Sequence, residues 1–271
     1  MSKIIITAAV TGAWPKKEQN PHVPMTPQEI AEDVYKCYLA GASIAHLHMR
    51  DDEGNGTMDK GKFEETVNLI RQKCDIVINC TTSGDLNATD ETRQAHLKSL
   101  KPEMASYDCG SMNWMHSGLF INHPKFLEEL GYTMQECNVK PEIEIFDAGM
   151  VYNSLHYLKK GVLKGPLHYQ FVLGAAGGTA ATVENLVYLK SLIPEGSTWS
   201  AFGIGKGHVP IMLTAIAMGG HVRVGLEDNL YYRPGVLATN EQLVSRAANI
   251  IRESGNEVAS SDDAREILGL K

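Results

Sequence analysis

Eight apolar runs of strand length alternate with eight segments of helical periodicity along 271 residues, and this alternation predicts an α/β chain closed as a TIM-type (β/α)8 barrel. Two further observations point the same way. Polar and glycine-rich stretches fall just after the apolar runs, where such barrels carry their loops. No linker, repeat or low-complexity stretch divides the chain, so residues 1–271 read as one domain. An open, doubly wound sheet would fit the same alternation and is the competing architecture.

The elements follow in order. The first strand is the β-branched run Ile4 to Ala9, and the polar turn Thr11 to Trp14 comes after it. The first helix, Pro27 to Leu39, has a marked start: Thr26-Pro27-Gln28-Glu29 offers a capping box with proline at the first helical position. Strand two, Ser43 to His48, leads to a helix over Lys60 to Gln72; strand three, Asp75 to Cys80, leads to Glu91 to Leu100. Strand four, Met104 to Tyr107, precedes a helix over Pro124 to Leu130, and strand five, Pro141 to Phe146, one over Gly149 to Lys160. Strand six, Leu167 to Leu173, is paired with Thr182 to Leu192; strand seven, Thr198 to Phe202, with Val209 to Met218. Strand eight is the short run Val222 to Val224, followed by Glu241 to Glu253 and a closing helix, Ser261 to Leu268.

Composition excludes some functions. With 25 Lys and Arg against 32 Asp and Glu the formal charge is -7, which disfavours nonspecific binding to nucleic acid or an anionic membrane. The five cysteines form no C-x-x-C pair and are not read as metal ligands. Met1 to Ala9 lacks the longer apolar stretch of a signal peptide, and a reduced cytoplasm is the expected setting.

The candidate chemistry begins at His46 and His48. Residues i and i+2 of a strand share a side, so two imidazoles there can hold one metal ion. A third ligand is available past strand eight, where His221-Val222-Arg223-Val224-Gly225 runs into Leu226-Glu227-Asp228. If both strand ends meet at one mouth, His46, His48 and Glu227 make a three-ligand site with an open position, the catalytic rather than the structural pattern. Zinc suits that set, as do iron, cobalt and manganese. Gly203 to Gly207 lies after strand seven, where barrels bind phosphate on free backbone N–H groups, with Lys206 as the charge. Arg223, if turned inward, needs Glu227 or Asp228 as a partner. His96, His116, His123 and His156 are read as structural or solvent-exposed, and Met212 and Met218 as core filling.

Several ordered blocks resemble the β-keto acid cleavage enzymes, the family of the 3-keto-5-aminohexanoate cleavage enzyme. They include Thr26 to Ala31, Ala40 to Arg50, Lys101 to Ala105, Phe120 to Pro124, Gln170 to Gly174 and Gly219 to Asn229. The resemblance implies a TIM barrel with zinc on His46, His48 and Glu227, and a reaction in which a β-keto acid and acetyl-CoA give acetoacetate and a new acyl-CoA. A β-keto acid chelates a Lewis acid through its ketone and one carboxylate oxygen, which stabilises the enolate left when a base removes the C2 proton. By position the resemblance makes Asp228 that base, acting with Arg223 and Thr82. It also implies that Ser106 and Asp108 contact the substrate or reaction intermediates, that Gly205 and Lys206 hold the CoA diphosphate where the family usually has arginine, and that the enzyme is a homotetramer. Glu144, carried with Glu142 on strand five at the same rim, is a further candidate for substrate binding.

One departure bears on the substrate. The lysine-fermentation member holds its substrate's amino group with a glutamate at the position of Trp14 here. An indole favours a neutral or apolar acyl tail over the 5-amino compound. Two other functions compete. An amidohydrolase-like metal-dependent hydrolase also uses H-x-H in a barrel, but on strand one, with further histidines at the ends of strands five and six. A nonenzymatic metal or CoA binder would have no use for a base beside the ligands.

Overall fold

A computed structural model of the chain, describing residues 2–85 and 87–270, closes eight parallel strands into one barrel. The strands are β1 (Ile6–Ala9), β2 (Ile44–Leu47), β3 (Val77–Cys80), β4 (Met104–Asp108), β5 (Lys140–Ile145), β6 (His168–Leu173), β7 (Thr198–Gly203) and β8 (His221–Val224). Each pairs with the next in sequence, and β8 closes the ring on β1 with Val222 opposite Ile6 and Arg223 opposite Thr7. The barrel expectation holds and the open sheet does not.

The surrounding helices are α1 (Pro27–Ala40), α2 (Lys60–Arg71), α3 (Asp90–Leu100), α4 (Pro124–Cys137), α5 (Ala148–Lys160), α6 (Val183–Leu192), α7 (His208–Ala217), α8 (Asn240–Glu253) and α9 (Ser261–Leu268). The capping box that starts α1 is formed: the Glu29 N–H donates to the Thr26 hydroxyl, and the Glu29 carboxylate accepts from the Thr26 N–H. Their apolar faces pack on the outer surface of the strands, where Ile143, Tyr107, Phe171 and Leu186 are fully buried.

Three differences from the sequence reading have physical causes. Helix α4 runs seven residues beyond Leu130 because Gly131 does not stop it; a Cβ there would fall 2.4 Å from Val162 Cγ1, so the residue serves close packing. The helix ends instead at Asn138, which takes a left-handed conformation. The first expected strand is split, because Lys3–Ile4 leaves the barrel and pairs in parallel with Glu257–Val258 beneath it. Short antiparallel hairpins also rise from the loops after β2 (Met49–Arg50 with Gly56–Thr57), β4 (Met112–Trp114 with Gly118–Phe120) and β8 (Tyr231–Arg233 with Val236–Leu237). Two- and three-residue strands are too short to show a period of two.

The end of the barrel at the strand N-termini is sealed. Ile5, Ile44, Val77 and Met104 form an apolar cluster with Ala259, Ala264 and Leu268, so α9 acts as a floor. Ser43 Oγ donates to the Ala259 carbonyl at 2.5 Å and Ser261 Oγ to the Ser43 carbonyl at 3.2 Å. Among the described residues no helix is long and apolar enough to cross a membrane.

Candidate active site

At the opposite end, the strand C-termini open into a cavity of about 660 Å³. His46 is the next-to-last residue of β2 and His48 follows the strand's end, while Glu227 and Asp228 follow β8 in the turn after Gly225. The glutamate lies 3.3 Å from His48 Nε2 and 3.6 Å from His46 Nε2, both measured to Oε1. Ligands sharing one tetrahedral ion at about 2.0–2.1 Å sit roughly 3.4 Å apart, so the spacing fits the expected set. Glu227 Oε2 is buried without a partner, which leaves an acceptor free for a cation. Two glycines make the room. A Cβ on Gly12 (φ 66°) would come within 2.7 Å of Glu227 Cγ, and one on Gly84 (φ 117°) within 2.6 Å of His48 Nδ1.

Behind the histidines stands a carboxylate of β5 to which the sequence analysis assigns no role. Glu142 Oε2 lies 3.7 Å from His46 Nδ1 and accepts from Asn79 Nδ2 at 2.6 Å. His46 therefore faces Glu227 with one ring nitrogen and Glu142 with the other, the latter beyond hydrogen-bond distance. The alternation Glu142, Glu144 in a buried strand was the signal available: both carboxylates point to one side.

Arg223 crosses the barrel to tie the acids together. Its guanidinium is 3% exposed, donates to both oxygens of Asp228 at 3.0 Å, to Glu227 Oε1 at 2.6 Å and to Glu144 Oε1 at 3.2 Å, and stacks on Phe202. Both partners foreseen for Arg223 are present, and Glu144, 79 positions away, is a third. Burial pushes Asp228 up to about 6, with Arg223 resisting and Glu227 reinforcing the rise. Against the same upward push of burial, His48, Arg223 and His46 hold Glu227 well below the usual carboxylate range. Burial raises Glu144, with Asp108 adding to it, and raises Glu142 to about 7. Three buried carboxyl groups (Asp108, Glu142, Glu144) and two partly buried ones (Glu227, Asp228) thus gather around Arg223, which bonds Asp228, Glu227 and Glu144 directly.

The remaining expected residues divide. Trp14, Asp108 and Glu144 line the cavity; Thr82, Ser106, Gly205 and Lys206 do not. Thr82 and Ser106 are bonded to each other, the Thr82 hydroxyl donating to the Ser106 carbonyl and its N–H to Ser106 Oγ, each at 3.0 Å. Gly205, Lys206 and Gly207 form a 3-10 turn that leads into α7, with the Gly205 N–H donating to Asn229 Oδ1 at 2.7 Å and Lys206 exposed. The cavity's outer wall is aromatic: Trp14 and Trp114 lie 6.2 Å apart, and Trp114 meets Phe120 and Phe146 at 5.8 and 6.0 Å. The hairpin contribution of Trp114 and Phe120 was not foreseen. His96 is buried and stacked on Phe63, and His123 caps α4 and meets Asp90 at 2.9 Å. The ends of β5 and β6 present Glu144 and Gly174 rather than histidines, and the histidine pair is on β2, so the amidohydrolase-like arrangement is not formed. A wider groove of about 880 Å³ outside the barrel, along α1, shares no residue with this cavity and is lined by paired surface charges such as Lys17–Glu29 and Lys73–Glu32.

Fold and site together define a barrel enzyme scaffold with two histidines and a carboxylate around an open position. The family model for beta-keto acid cleavage enzyme matches residues 3–270, and the chain belongs to that family. It is similar to the 3-keto-5-aminohexanoate cleavage enzyme of Fusobacterium nucleatum, at 45% identity over all of this chain and 99% of that one. It is also similar to the 3-oxoadipate:acetyl-CoA acetyltransferase of Cupriavidus necator, at 34% identity over 98% of this chain and 94% of the other. Among solved structures, apo ObcA shares the fold with a TM-score of 0.83 and 20% identity, over 92% of this chain and 66% of its own.

Proposed function

We propose that this chain is a zinc-dependent acyltransferase that converts a β-keto acid and acetyl-CoA into acetoacetate and a new acyl-CoA. The observation that carries the reading is the pairing of an open ligand set (His46, His48, Glu227) with a carboxylate, Asp228, held beside it on both oxygens by Arg223. The relatives' names support the reaction class.

His46, His48 and Glu227 would hold the ion, which supplies Lewis-acid polarisation of a ketone oxygen when bound. Asp228 takes the C2 proton; at about 6 its carboxyl is ionised at neutral pH yet basic enough to accept a proton. Arg223 fixes the direction of that carboxylate and favours its ionised form, ready to accept the proton. The C2 carbanion attacks the thioester carbonyl of acetyl-CoA. CoA then passes to the other acyl carbonyl, and cleavage of the old C2–acyl bond leaves its electron pair on C2, which takes the proton back from Asp228 as acetoacetate is released. Asp108 and Glu144 border the reacting end of the cavity, and Thr82 and Ser106 would reach substrate only by turning their hydroxyls inward. Lys206, exposed on the turn before α7, would bring a positive charge to the CoA diphosphate, whereas the Gly205 N–H is already held by Asn229 Oδ1 and would have to be released to take part.

Trp14 and the aromatic wall favour a neutral or apolar acyl tail. The metal and tail readings, the one-domain reading of the chain, a cytoplasmic setting and a homotetramer are parts of the proposal; metal analysis and light scattering test the metal and the assembly. The function is tested with a panel of β-keto acids and labelled acetyl-CoA, read by mass spectrometry of the acyl-CoA products. Labelled acetoacetate and a matching acyl-CoA are expected, with neutral tails turned over faster than the 5-amino compound and the order reversed by Trp14→Glu. Hydrolysis without acyl exchange would refute the reaction, and preference for the amine would refute the tail reading.

A further inference from the structure

We infer that Arg50 is a positioning residue that sets which acyl tail the cavity accepts, by clamping the loop that carries Trp14; this rests on the reading of Trp14 as the tail wall. Arg50 is 2% exposed, and its acceptors are all backbone carbonyls. Nε donates to Gly12 at 2.8 Å, Nη2 to Pro15 at 2.8 Å and Thr11 at 3.3 Å, and Nη1 to Gly54 at 2.9 Å. Three of these four acceptors lie in one five-residue stretch, residues 11–15, which otherwise has no regular structure. A buried guanidinium without a carboxylate partner is costly. Its planar fork, however, reaches several fixed carbonyls at once, which a lysine ammonium cannot do from a single nitrogen.

The clamped stretch does two things. Its Gly12 packs against Glu227, and its Trp14 stands half-exposed against Trp114 at the cavity mouth. An indole with half its surface in water has little burial of its own to hold it, so the backbone beneath decides where it stands. Arg50 also follows His48 by two residues, in the short ribbon Met49–Arg50 that continues the chain from β2, which ties the loop to the segment carrying the expected metal ligands.

The test compares wild type, Arg50→Lys and Trp14→Ala. Two substrates are used: acetoacetate, whose tail is one methyl, exchanging with labelled acetyl-CoA, and 3-oxohexanoate. For Arg50→Lys the KM for 3-oxohexanoate is expected to rise about tenfold, with kcat and the KM for acetoacetate within about twofold of wild type. Unchanged kinetics on both substrates, or an equal fall in kcat on both with loss of bound zinc, would overturn the clamp. If Trp14→Ala alters the tail preference and Arg50→Lys does not, the clamp fails while the Trp14 reading stands. If Trp14→Ala leaves the preference intact, both fall together. Hydrogen exchange on the wild-type enzyme needs no variant: the amides of residues 11–14 should exchange slowly, and exchange at the rate of a free loop would also overturn the proposal.

Discussion

The two ends of the barrel bury polar groups in opposite ways. At the floor, His168 Nδ1 meets Thr198 Oγ1 at 2.9 Å, His221 Nδ1 accepts the Ile5 N–H at 3.1 Å, and Ser43 and Ser261 bond backbone carbonyls. Burial keeps both histidines neutral, pushing His168 well down and His221 to about 4. At the mouth, by contrast, Asp108 Oδ2, Glu142 Oε1, Glu227 Oε2 and His46 Nδ1 are buried without a partner. Satisfied neutral groups hold a fold together, whereas unsatisfied charged ones are tolerated where a ligand completes them. The difference assigns stability to one end and chemistry to the other.

The contrast is broken most sharply by His46→Ala, expected to abolish bound metal and lower turnover by about 10⁴-fold or more while the circular dichroism spectrum stays native. A folded variant that retains metal would remove His46 from the ligand set. Asp228→Asn comes next, with kcat down by about 10²–10⁴ and metal content unchanged, since it removes the proposed base and keeps the shape. Metal loss alongside activity would show that Asp228 supports the ion instead.

The floor predicts acid lability. A histidine near 4 when folded and about 6.5 when unfolded binds more protons unfolded below pH 6.5, so stability present above that pH is lost as pH falls toward 4. His221 alone should account for a loss on the order of 3 kcal/mol by pH 4. Denaturant melts of wild type and His221→Asn across pH 7 to 4.5 would show it as a shallower slope in the variant, and parallel slopes would contradict it. The smallest effect is Ser43→Ala, expected to cost about 1 kcal/mol of stability with kcat and KM unmoved. A kinetic change there would mean that the floor speaks to the mouth.

Much of the site was legible because its signals are local. The H-x-H spacing of His46 and His48 depends only on strand alternation, and Glu227 and Asp228 announce themselves as carboxylates at a strand end. Trp14 could be placed at the mouth for the same reason. Glu142 could be seen but not interpreted, because its meaning lies in a histidine three strands away. Arg93 gave no signal: it sits within a helical segment, yet it is buried, donates to the Thr82 and Ile121 carbonyls and to Asn122 Oδ1, and covers Phe126 at 4.0 Å.

Local order settled the rest of the barrel's outline. Apolar period, capping residues and loop chemistry are properties of neighbours along the chain, so the alternation of strand and helix, the start of α1 and the pairing of His46 with His48 follow from the sequence by itself. Closure decided what those neighbours could not: that Arg223 reaches Glu144 across the barrel, that Glu142 stands behind His46, and that Arg50 grips the loop of Trp14. Contacts between residues tens of positions apart exist only once eight strands share one ring, because the register and tilt of that ring set which side chains meet inside it.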